Sequence, residues 1–150
     1  MKNIVRFSLL VLLAVTFSSC LKMGLDELPT SDKADITNVK FEYRWWDEAA
    51  EQIRVVEMTT NNQITDHTIN CTITVPDITE IFTSDIREKV SLSDLVCTTD
   101  ISAAASIRPV NGAPALGTPG DFSGKTFNYL VIAANGSEIE WEIKIIALNK

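Results

Sequence analysis

The chain has 150 residues, of which 13 are basic and 20 acidic, for a net charge of −7. That length allows one domain with a self-sufficient apolar core, and a hydrophobic fraction of 45% is too high for disorder. The acidic balance argues against nucleic acid, whose phosphates need a basic stripe, and equally against electrostatic docking on a membrane surface.

Lys2 and Arg6 precede an apolar run of ten residues from Ser8 to Phe17. A spanning helix needs about 20 apolar residues, so this is the hydrophobic region of a signal peptide. Ser18 and Ser19 end the run, and Lys22 follows Cys20. The stretch Phe17-Ser18-Ser19-Cys20 resembles the lipobox of bacterial lipoproteins, with Phe17 where Leu or Val is usual. The resemblance implies cleavage before Cys20 and lipid on its thiol. The alternative is an ordinary secretory signal cut nearby, and either route exports the chain. Several acyl chains, at about 0.8 kcal/mol per buried methylene, anchor stably without help from the rest of the protein. Losing Lys2 and Arg6 with the leader leaves a mature net charge of −9. The organisation expected is a leader over 1–19, the lipidated Cys20 with a flexible tether over 20–35, and a folded domain over 36–150. Gly24, Pro29, Thr30 and Ser31 give the tether its character.

From Val39 onward the chain alternates, with Val39, Phe41, Tyr43 and Trp45 on one face and Lys40, Glu42, Arg44 and Trp46 on the other. Period two with aromatic and β-branched residues predicts a half-buried strand. A second strand is expected over Gln52–Met58, its facing ambiguous because Val55 and Val56 are adjacent. Thr59 to Asp66, with Asn61-Asn62, reads as turn. His67 to Val75 alternates again, Ile69, Cys71, Ile73 and Val75 inward, until Pro76 stops it. Asp77 to Ser93 reads as loop, in which Asp85 and Glu88 are spaced to cap one helical turn. Short strands follow at Leu95–Thr99 and Ala104–Arg108. The stretch 109–125, rich in Pro and Gly, is a long loop from which Phe122 is expected to plug the end of the core.

Thr126–Ala133 and Ser137–Leu148 flank Asn135-Gly136. A two-residue turn would set Phe127, Tyr129 and Val131 on the face of Glu138, Glu140 and Glu142. A three-residue loop with a left-handed Gly136 pairs Val131 with Ile139, Tyr129 with Trp141 and Phe127 with Ile143. One residue of slip inverts a strand's faces, so the hydrophobic pattern selects the three-residue loop. Short strands with turns between them predict an all-β protein, a β-sandwich of about seven strands, immunoglobulin-like or cadherin-like.

Chemistry is sparse. Cys71 and Cys97 both fall on inward positions, and an oxidising compartment permits a bridge between them; two buried free thiols are the alternative. His67 is the single histidine, and no Gly-x-Ser-x-Gly elbow accompanies it, so it reads as an exposed loop residue. The sequence offers no metal-ligand set and no calcium-loop spacing. Asp47, Glu48 and Glu51 make a small solvated cluster. Trp46 points outward, either as a stacking platform for a sugar ring or packed on a neighbouring loop. No catalytic residue and no cofactor are expected.

Ala34-Asp35-Ile36, Ile73-Thr-Val75-Pro76, Pro109-Val-Asn-Gly112, Asp121-Phe122-Ser123 and Tyr129 through Asn135-Gly136 recur in order in a known group. They resemble the immunoglobulin-like domains of uncharacterised Bacteroides-type lipoproteins, over roughly residues 34–147. Similar domains precede a carbohydrate-metabolism domain in longer lipoproteins. This chain has a longer Gly112–Asp121 segment and stops where those relatives continue, so their carbohydrate role is not carried over. The group brings no catalytic residues. The functional expectation is a non-enzymatic outer-membrane lipoprotein, facing the cell surface or the periplasm, that binds an envelope protein. The alternative is a glycan-binding accessory protein of a polysaccharide-uptake system, with Trp46 as a contact.

Overall fold

The computed structural model describes residues 30–150; the expected leader, the expected lipidation site Cys20 and the expected tether through residue 29 lie outside them. Nine strands form: β1 (Ile36–Asp47), β2 (Gln52–Glu57), β3 (Thr59–Thr65), β4 (Thr68–Thr74), β5 (Leu95–Ile101), β6 (Ser106–Val110), β7 (Pro119–Gly120), β8 (Thr126–Ile132) and β9 (Glu138–Asn149). One helical turn, α1 (Ser84–Lys89), and a 3-10 turn at Leu92–Asp94 lie between β4 and β5. The strands build two sheets, ordered β2-β1-β5-β7 and β3-β4-β9-β8-β6. The all-β sandwich is as expected, with nine strands in place of about seven.

The faces follow the alternation. Val39, Phe41 and Tyr43 from the first sheet meet Ile69, Cys71, Ile73, Tyr129, Val131, Trp141 and Ile143 from the second in one buried cluster. Hydrophobic pattern sets the final hairpin as argued: Val131 opposes Ile139, Tyr129 opposes Trp141 and Phe127 opposes Ile143. The Ala133 N–H donates to the Ser137 carbonyl at 2.8 Å, and Gly136 takes φ +86°. Glycine, which has no Cβ, adopts that angle without steric cost. Phe122 is 1% exposed and sits edge-on to Phe41 and Phe127, with centroids 5.3 and 5.2 Å away.

Four details differ from the sequence reading. Thr59–Thr65 is a strand, not a turn. Its threonines suit extended backbone, and Met58, buried at 3% exposure, is the single residue between β2 and β3 where the chain passes from one sheet to the other. Asn62 belongs to that crossing: its side-chain amide donates to Asn38 Oδ1 and to the Val39 carbonyl, both at 2.7 Å. The tight turn falls at Asp66-His67, where Thr65 pairs with Thr68 and Asp66 takes φ +50°.

Pro109 lies inside β6 rather than beyond it. β6 is an outermost strand of its sheet, where a missing N–H is tolerated. The turn of α1 forms as foreseen, but its cap residue is Thr83, which makes no side-chain capping bond. Finally, residues 31–35 are held rather than loose. The Ala34 carbonyl accepts from Trp141 Nε1 at 2.8 Å, the Ser31 carbonyl from the Asn135 N–H at 3.1 Å, and the Asp35 carbonyl from the Ser102 N–H at 2.9 Å. Burying the Ala34 methyl and the indole N–H together fixes the chain's entry into β1.

Candidate functional site

The last turns of β1 carry the aromatic residues. Alternation turns Tyr43 and Trp45 toward the core side and Arg44 and Trp46 away from it. β2 pairs with Trp46 opposite Ile53 and Arg44 opposite Val55, so these four residues share the outer face. Trp46 is 54% exposed, Ile53 65% and Val55 52%. The connection from β1 to β2 is pinned by Asp47, whose carboxylate accepts from the Ala49 and Ala50 N–H groups at 3.0 and 3.2 Å and from Arg54 Nε at 3.0 Å. Those bonds hold its carboxyl below the usual aspartate range, the Arg54 bond first among them.

On the inner side Trp45 is half-buried. It stacks on Tyr43 at 6.1 Å and 15° and leans on Phe82 at 5.8 Å. Phe82 is delivered by the segment after Pro76, fixed by Arg87 Nε donating to the Pro76 carbonyl at 2.9 Å and by the Thr79 N–H donating to the Phe82 carbonyl at 2.9 Å. Burial, and then the nearby Asp94 carboxylate, raise the Tyr43 phenol above its ordinary pKa.

Three concavities surround this end of β1 and β2. A groove of about 760 Å³ runs between Trp45 and Trp46 on one side and Glu80, Ile86, Lys89 and Asp94 on the other. A smaller hollow of about 280 Å³ lies between Val55 and Val56 of β2 and Pro76, Ile81 and Phe82. A shallow depression of about 410 Å³ covers Trp46, Ile53 and Pro119 on the outer face. The first is in the size range of small-molecule sites. β2 ends its sheet and pairs with β1 alone among the described residues; its free edge borders the second hollow, whereas the third lies over β1 toward Pro119 of β7.

Trp46 therefore points outward as expected and stands more than half exposed. Cys71 and Cys97 are buried, unbridged thiols. Burial pushes the Cys71 thiol up to about 11; burial, with the adjoining Cys71, pushes Cys97 further up. Neither touches the grooves. His67 is exposed in the β3–β4 turn, its ring edge-on to Trp141 at 5.2 Å. Among the described residues no group of three or more His, Cys, Asp or Glu is placed to hold a metal ion, and no helix is long and apolar enough to cross a membrane. Sequence reasoning missed Ile53, Val55 and Ile81 as surface residues. The adjacent Val55-Val56 hid the facing of β2, and the 77–82 segment carries no periodicity that would mark Ile81 as exposed.

A family profile described as DUF5018-related matches residues 36–144. The chain belongs to the DUF5018-related family. The match begins at the first residue of β1 and ends within β9, so it takes in both sheets and every residue of the grooves. This DUF5018-related domain is also similar to a crystal structure described as a "putative secreted protein" from Bacteroides fragilis NCTC 9343. The two share 32% identity at a TM-score of 0.71, over 81% of this chain and 100% of that one. None of the curated proteins matches the chain.

Proposed function

We propose that this DUF5018-related protein is a non-enzymatic, lipid-anchored module of the cell envelope that binds another protein through the surface around Trp46 and β2. One observation carries the reading: of the seven exposed large hydrophobics among the described residues, Trp46, Ile53, Val55 and Ile81 gather on and around β2. Isolated surface apolar residues need no explanation, whereas a contiguous group of them marks an interaction site. Export is supported by the leader ending at Cys20 and by the description of the Bacteroides fragilis relative. The mature acidic charge supports a lipid, rather than electrostatics, as the membrane attachment. The anchored protein sits at the outer membrane, facing the surface or the periplasm.

The test places a photo-crosslinking residue at Ile53 in intact cells, with Ile146 on the other sheet as control. A discrete adduct from position 53 alone supports the reading; equal or absent adducts at both positions count against it. Incorporation of labelled palmitate that Cys20→Ser abolishes tests the anchor.

A glycan-binding role is the second reading, favoured by the groove that Trp45 and Trp46 line together with Glu80, Lys89 and Asp94. Aromatic faces with flanking hydrogen-bonding groups suit a sugar ring. Saturable quenching of tryptophan fluorescence by a polysaccharide, removed by Trp46→Ala, would promote it above the first.

A further inference from the structure

We infer that β2 is the acceptor edge for strand addition, and that its occupant is an extended segment of a different protein, apolar in the middle and flanked by lysine or arginine. This rests on the protein-binding reading above and specifies the partner's form. A strand laid along an edge projects side chains alternately to the two faces of the sheet. The edge of β2 offers a hollow on the inner face, walled by Ile81 and Phe82, and the exposed side chains of Ile53 and Val55 on the outer face; the depression over Trp46 and Ile53 lies inboard, over β1 toward Pro119. Edges in monomeric proteins are normally blunted by outward charge, proline or a covering segment. Here the outward residues at the middle of β2 are Ile53 and Val55, 65% and 52% exposed, and among the described residues no backbone hydrogen bond joins β2 to any segment but β1.

Charge decides between a foreign segment and a second copy of this chain. An antiparallel two-fold pairing that stacks Ile53 on Val55 of a second copy sets Glu51 opposite Glu57 and Arg54 opposite Arg54. The next register that keeps the faces aligned sets Val55 on Val55 but Ile53 against Glu57. Directly opposed like charges destabilise the first register, and the second sets an exposed isoleucine against a carboxylate in place of an apolar partner. Glu51 and Glu57 bracket the strand, and Asp77 lines the inner hollow with Glu80 three residues on. Arg54, the cation of this edge, is occupied by Asp47. The complement is a segment with basic ends, which the acidic surface also draws in at long range.

The experiment pans random dodecapeptides displayed on phage against the full-length protein in mild detergent, then measures an enriched peptide by fluorescence anisotropy. Enrichment of basic-flanked sequences with alternating apolar residues is expected. The loss expected is about tenfold or more, roughly one good contact, from Val55→Lys and from N-methylation of the peptide backbone. Glu57→Gln, which changes only charge, should weaken binding more at low salt than at high. Failure to enrich such peptides, or binding that ignores Val55→Lys, overturns the inference. Peptides that need Trp46 and Ile53 but tolerate N-methylation would keep the surface as a binding site and sink strand addition. A concentration-dependent dimer dissociated by Val55→Lys would instead make the occupant a second copy.

Discussion

Trp141 shows how one side chain ties the entry of the domain to its centre. Its indole N–H reaches the Ala34 carbonyl in a buried bond, while its ring covers the core beneath His67. Trp141→Phe keeps most of the apolar area but leaves that carbonyl without a donor. An unpaired buried group costs about 1–3 kcal/mol, so urea unfolding should shift by that amount, and amide exchange at Asn135, which bonds to Ser31, should quicken. Cys71 and Cys97 give a second prediction at this scale. Both thiols should resist a thiol reagent at pH 8 in the folded protein and react on unfolding. The folded pKa of Cys71 is raised from 9.0 to about 11. Its neutral form is therefore favoured by folding, and that contribution is present below pH 9 and lost as pH rises toward 11. Replacing Cys71 with Val should flatten the alkaline decline seen in thermal melts between those limits.

At the level of elements, the hairpin of β8 and β9 and the facing of β1 were legible because each has one register that gathers all its large apolar groups. β3 was not. Asn61-Asn62 carries turn chemistry, and what holds it extended is its pairing with β4 together with the bonds from Asn62 to Asn38 and Val39, contacts that no local pattern announces. The partnership of β4 with β9 was equally hidden, since parallel pairing leaves no signature in the intervening sequence. Of the candidate site, Trp46 was readable from alternation, but the walls supplied by β2 and the 76–94 stretch were not. Two predictions belong here. A Cβ placed on Gly120 would lie 2.7 Å from the Pro114 Cβ, and both atoms are stiffly held. Gly120→Ala should therefore cost about 1–3 kcal/mol, the usual range for overpacking, read by urea titration. The β1–β2 turn should in turn be acid-sensitive. Arg54 and the Ala50 and Ala49 amides lower the Asp47 pKa, so its contribution is present above the ordinary aspartate range and lost as pH falls below about 4. Asp47→Asn should weaken the protein at pH 7 and shrink the difference between pH 7 and pH 3.

For the molecule as a whole, stability concentrates where the sheets meet around Phe41, Phe122 and Phe127. Phe122→Ala removes the ring shared by the other two, and the loss expected is about 3–5 kcal/mol for truncating a buried phenylalanine, measured as a fall in urea midpoint. The surface around β2 should respond differently. Ile53→Thr and Val55→Thr should leave stability within about 0.5 kcal/mol, as exposed substitutions do, while removing the apolar contacts on which partner binding is proposed to depend. A protein that loses both stability and binding with these changes would show the patch to be structural.

The position of β9 has a consequence in time. It follows every other described strand in the chain, yet it lies between β4 and β8 in the middle of the five-stranded sheet. β4 has no inner neighbour until Glu138–Asn149 arrives, so a nascent chain lacking that stretch holds only half a sandwich. Pairings this distant in sequence are slow to form. The polypeptide thus remains threadable until that stretch emerges, as the export proposed above would require.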